Sequence, residues 1–116
     1  MNKSKVLLEK ITISLQKDKA LNIKSINLLN RSSVADYMII ASGNSSRQVS
    51  SMANNLIVRL KEDGFKSRKP EGLSNSDWVL IDAYDIIVHL FRPEVREFYQ
   101  LEKMWQTPII KNKNFK

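Results

Sequence analysis

The chain has 116 residues, 42% of them apolar and 27% charged, with no cysteine, a single histidine and a formal net charge of +7. That length fits one domain around one core; the missing cysteine excludes a disulfide framework, a thiolate metal site and a cysteine nucleophile, and the lone His89 excludes a histidine-built metal centre. No apolar run approaches the roughly 18–20 residues that cross a bilayer, and the start carries lysines without the apolar core and cleavage site of a secretory signal, so the expectation is a cytoplasmic protein without a membrane partner.

In chain order, residues 4–17 read as a helix, with Leu7 or Leu8, Ile11 and Leu15 at helical spacing and Ser4 as the cap. Residues 23–28 alternate as a short strand, and 31–35 form a polar connection. Residues 37–41 (YMIIA) are continuously apolar, which predicts a strand covered on both faces. The stretch Ser42-Gly43-Asn44-Ser45-Ser46 is a turn that starts a helix over about 47–63. Its stripe is Val49, Met52, Ala53, Leu56, Ile57 and Leu60, and Gly64 is the stop. Strand, turn, helix and a following strand suggest a βαβ unit. Residues 65–72 are basic and weakly patterned, an edge strand interrupted at Pro70.

Residues 77–82 and 85–91 form the clearest strand pair, a hairpin turning at Ala83-Tyr84, without the Gly or Asn that two-residue turns prefer. Pro93-Glu94 opens a helix that runs to about residue 105, and 106–116 read as a poorly ordered basic tail. The expected organisation is therefore a single α/β domain over residues 1–105 with a mixed sheet flanked by helices.

Charge is unevenly distributed. Between Glu71 and Glu102 stand seven acids (Glu71, Asp77, Asp82, Asp85, Glu94, Glu97, Glu102) against Arg92 and Arg96, so this segment is net −5 and the remainder +12. A two-signed chain can meet a basic partner with one face and tolerate a polyanion near the other. The sequence pI of about 9.8 leaves two readings open, RNA contact and simple solubility.

The loop Gly43-Asn44-Ser45-Ser46-Arg47 precedes a helix, where free N–H groups can hold an anion, but it matches neither the dinucleotide nor the P-loop spacing, so a capped turn is the expected role. A Gly-Ser turn of this kind also occurs in nucleotide-transferring enzymes, which need clustered carboxylates for metal ions; here no acid follows Ser46 until Glu62. A Ser45–His89–Asp triad has no support in spacing, and His89 is expected to be a packed or half-exposed sheet residue beside Ile87 and Phe91. Trp78, Tyr84, Tyr99 and Trp105 are the candidate interface aromatics, since such rings bury large area and keep a polar handle, with a core position as the alternative for Trp78 and Trp105.

The segments ADYMIIASGNSSRQVSSMAN, KEDG, EG followed by DWVLID, DIIVHLF and REFYQLEKMW, in this order from about Leu21 to Trp105, resemble the ribosomal silencing factors (the RsfS/iojap family). The resemblance implies a nucleotidyltransferase-like scaffold without catalytic carboxylates, no enzymatic activity and no cofactor. It also implies binding to the large ribosomal subunit through ribosomal protein L-fourteen, which blocks subunit joining and represses translation, chiefly under nutrient limitation. Ribosomal RNA would lie nearby. Carried over by position, the partner-binding residues are Trp78, Asp82, Ala83, Tyr84, Asp85, Glu94, Arg96 and Tyr99. In the turn the family has an apolar residue and then glycine, where this chain has Ala83 and Tyr84. Tyr84 is expected to replace lost contact area.

Two other classes compete with this reading: an RNA-binding module built on the +12 portion and Arg47, and a metal-dependent enzyme using Asp82 and Asp85. A homodimer stays open through the edge at residues 65–70, although lysines and a proline there oppose strand pairing.

Overall fold

The computed structural model describes residues 3–30, 33, 35–67 and 69–95. Helix α1 spans Lys3–Lys17 and buries Leu7, Ile11, Ser14 and Leu15 on one stripe. Ser4 lies inside its first turn rather than at its cap, and its hydroxyl donates to Asp36 Oδ2 at 2.8 Å. The helix ends with Lys19 at φ 62, the Lys19 N–H donating to the Gln16 carbonyl and the Ala20 N–H to the Leu15 carbonyl, both at 3.0 Å. These are the paired bonds of a Schellman stop, here without the usual glycine.

Strands β1 (Leu21–Asn27), β2 (Tyr37–Ser42), β3 (Trp78–Ala83) and β4 (Ile86–Phe91) form one sheet in the order β1-β2-β4-β3. The two central strands are parallel, with Tyr37 opposite Ile86, and both edge pairs are antiparallel. All six β2 residues are buried, as expected for a strand covered on both faces. Helix α2 (Ser46–Glu62) connects β2 to β3 and buries Val49, Met52, Ala53, Leu56 and Leu60. Gly64, at φ 88, closes it, with Phe65 N–H reaching the Leu60 carbonyl at 2.8 Å and Gly64 N–H the Lys61 carbonyl at 3.1 Å.

Three details differ from the sequence expectation. The strand that follows α2 is not the parallel partner of β2: the chain first runs to the outer edge as β3, then returns as β4 between β3 and β2. The hairpin turns at Tyr84-Asp85, because Ala83 still pairs with Ile86 and keeps the inward alternation of Val79 and Ile81. The described residues among 65–72 form no strand; a bridge joins Glu71 to Leu80 through bonds of 3.0 and 2.9 Å, and Pro70 has no N–H to continue the ladder.

Helices α1 and α2 cover one sheet face, where Ile39, Ala41, Val79, Ile81, Val88 and Leu90 are fully buried. On the other face Ile26, Met38, Ile40 and Phe91 form a second cluster, with Trp78, Ile87 and Val95 packed at its margin. Pro93 to Val95 are helical; the continuation of that helix and the tail expected over 106–116 lie outside the described residues.

Candidate protein-binding face

Along β3, burial alternates: Val79, Ile81 and Ala83 point under the helices, while Trp78, Leu80 and Asp82 are half-buried. Period-two geometry therefore puts Trp78 and Asp82 on one face, the one turned away from α1 and α2. Opposite them on β4 stand Phe91, His89 and Ile87. The Trp78 ring lies 5.2 Å from Phe91 at 36°, and its Nε1–H donates to His89 Nδ1 at 3.0 Å. His89 is buried, and desolvation lowers its pKa from 6.5 to about 4. The ring is thus neutral near pH 7 and, with Nδ1 accepting, carries its proton on Nε2.

The acids flank the two ends of the hairpin. At the Trp78 end, Arg92 Nε is 2.9 Å from Asp77 Oδ1 and its Nη1 is 3.4 Å from Glu94 Oε2, so one arginine offsets two carboxylates. Asp77 also accepts from the Ser46 hydroxyl at 3.3 Å. At the tip, Tyr84 takes φ 56, so the turn keeps the left-handed conformation that glycine would adopt freely. The residue is 48% exposed; its ring meets Phe65 edge-on at 5.9 Å and lies 5.6 Å below the Lys3 ammonium, and its Oη accepts from the Lys66 N–H at 3.1 Å. Asp85 accepts the Asp36 and Tyr37 N–H groups through its carbonyl at 2.7 and 3.3 Å, and its Oδ2 is 3.5 Å from the Ser4 hydroxyl.

Asp36 is an acid the sequence reading missed. Only the parallel β2–β4 register brings it beside Asp85, and nothing in local sequence announces that pairing.

Of the residues assigned to partner binding, Trp78 and Asp82 share a face, Tyr84 and Asp85 sit at the tip towards α1, and Glu94 lies at the far end with Arg92. Ala83 requires a correction. Its side chain is fully buried in the core under the helices, because it is the last inward residue of β3 and not a loop residue, so it offers no side-chain contact. Arg96 and Tyr99 lie outside the described residues.

The Gly43 loop is a structural turn. Ser45 Oγ accepts the Gln48 N–H at 3.1 Å while Gln48 Oε1 accepts the Asn44 N–H at 2.7 Å, a reciprocal arrangement close to a capping box. Gly43 is closely packed, since a Cβ there would sit 3.0 Å from Val49 Cγ2, tighter than most such contacts. Ser45 and His89 are thus engaged separately, one by α2 and the other by Trp78. Among the described residues no group of three or more His, Cys, Asp or Glu is arranged to hold a metal ion.

Residues 1–115 match the family model described as ribosomal silencing factor during starvation. The chain belongs to the ribosomal silencing factor family. Its similarity to the ribosomal silencing factor RsfS of Zymomonas mobilis is 58% identity over 100 residues, covering 86% of this chain and 75% of that protein. A crystal structure of a Chromobacterium violaceum protein superposes with a TM-score of 0.86 at 34% identity, covering 91% of this chain and 88% of that one. A more distant relative is the mouse protein named mitochondrial assembly of ribosomal large subunit protein 1, 34% identical over 94 residues, which span 78% of this chain and 41% of the mouse protein. The ribosomal silencing factor family is one of ribosome-associated regulators, and the resemblance seen in the segments around β2, α2 and the β3–β4 hairpin holds across nearly the whole chain.

Proposed function

We propose that this protein binds the large ribosomal subunit through ribosomal protein L-fourteen, in the cytoplasm, and blocks joining of the small subunit, repressing translation when nutrients are limiting. Family membership over residues 1–115 is the observation that carries the reading; the mouse relative, named for assembly of the ribosomal large subunit, supports the choice of subunit. The contact surface is the outward face of β3 and the hairpin ends: Trp78 as the aromatic anchor, Asp82 and Asp85 as acids for a basic partner, Tyr84 at the tip and Glu94 at the far end, with Arg96 and Tyr99 as further members. Acids on a receptor surface speed and orient the approach of a basic protein. The exposed Lys5, Lys19, Arg47 and Lys61 of the helical side are compatible with ribosomal RNA nearby.

Inhibition needs no catalysis. A factor held on one subunit at a hundred times its dissociation constant makes joining cost about 2.7 kcal/mol more, the free energy of displacing it. The test is co-sedimentation with isolated large subunits, followed by addition of small subunits. Wild-type protein is expected to bind and prevent whole-ribosome formation, whereas Asp82→Lys/Asp85→Lys is expected to do neither. Binding that survives the charge reversal would move the contact to the basic side and favour RNA; absence of any binding would refute the proposal.

A further inference from the structure

We infer that His89 is a positioning residue, which fixes the indole of Trp78 on the outward face of the sheet and thereby sets the affinity of that face for its protein partner. The affinity part rests on the function proposed above; the geometry does not. Indole has one polar group, a donor, and in Trp78 it is satisfied by His89 Nδ1 at 3.0 Å. The two residues are diagonal neighbours across the β3–β4 pair: Trp78 is opposite Phe91, and His89 is two positions along. That is within reach of aromatic side chains. The bond draws the indole along the strand, over a floor made by Phe91, against which the imidazole also stacks at 5.9 Å and 12°.

His89 is itself held. It belongs to central strand β4, with Ile40 on one side and Leu80 on the other, and only 9% of it is exposed. The imidazole therefore transmits the rigidity of the sheet to a half-exposed ring at its edge. Burial that disfavours the charged form keeps the Nδ1 lone pair available. A pinned anchor loses less rotamer freedom on binding than a free one.

Three variants separate the roles. His89→Phe keeps a ring on Phe91 and removes the acceptor; His89→Asn retains an acceptor near the position of Nδ1; Trp78→Ala removes the anchor. Affinity for isolated large subunits is measured alongside the Trp78 indole 1H–15N resonance, assigned by comparison with Trp105→Phe. His89→Phe is expected to shift the indole resonance and weaken binding roughly 3- to 10-fold, with His89→Asn restoring both towards wild type and Trp78→Ala weakening binding further. An unmoved indole resonance in His89→Phe, or wild-type affinity despite a moved one, overturns the inference. If His89→Phe fails to fold, His89→Leu takes its place with the same expectations. Failure of the wild-type protein to bind would instead sink the ribosomal reading together with the affinity role, and the indole resonance would then report whether His89 holds Trp78.

Discussion

Acid should destabilise this protein from about pH 6.5 downward, through one residue. His89 sits between Ile40 and Leu80 in the sheet, and burial lowers its pKa from 6.5 to about 4. Below pH 6.5 the unfolded chain takes up a proton that the folded chain refuses, so the unfolded state binds more protons and stability falls as pH falls. The contribution is fully present above about pH 6.5 and lost progressively down to about pH 4. At about 1.4 kcal/mol per pH unit the whole window is worth about 3 kcal/mol, of which about 2 kcal/mol is gone by pH 5. Urea unfolding at pH 7, 6 and 5 measures this directly. The chain has one histidine, so His89→Asn contains no imidazole and should show a flatter dependence over the same range. Parallel losses in wild type and variant between pH 7 and 5 would refute the argument.

Glycine substitutions should divide sharply. Gly72 has φ 93, and a Cβ there would run into the Trp78 carbonyl oxygen, so Gly72→Ala should cost about 2–4 kcal/mol in urea unfolding; Gly64, at φ 88 with open space around it, should cost about 1 kcal/mol. Ser45→Ala removes the acceptor for the Gln48 N–H and should lower stability by about 1 kcal/mol, read as a lower thermal midpoint. Tyr84→Gly relieves a left-handed conformation worth about 1–2 kcal/mol but loses the Phe65 contact and the Lys66 hydrogen bond, so its urea midpoint should change little while its ribosome affinity falls; unchanged or improved affinity would show that Tyr84 supplies no contact area.

The parts of the fold readable from sequence were those fixed by local pattern. The α2 stripe and its Gly64 stop follow from helical spacing, and the alternation in β3 marks a strand with one covered face. The end of α1 was harder, because Lys19 occupies the left-handed position with nothing in its residue type to announce it. Strand order was harder still. The unbroken burial of β2 and the near-continuous apolar run of β4 identify the two central strands, yet their adjacency depends on contacts between distant residues. Ala83 reads as a turn residue because the apolar runs suggest strands ending at Asp82 and starting at Asp85, whereas β3 continues one residue further and Ala83 keeps its inward alternation. The Trp78–His89 bond needs the β3–β4 register, not the mere presence of both residues.

The place of β2 also governs the order in which the molecule can assemble. Its antiparallel neighbour β1 lies just upstream, but its parallel neighbour β4 lies about fifty residues downstream, a closure whose entropic cost grows with loop length. Until residues 86–91 have been made and have docked, the apolar strand YMIIAS keeps one edge unpaired. A nascent or partly folded chain therefore carries an adhesive edge that the finished protein conceals. Docking of β4 covers that edge and, in the same event, brings His89 into the centre of the sheet.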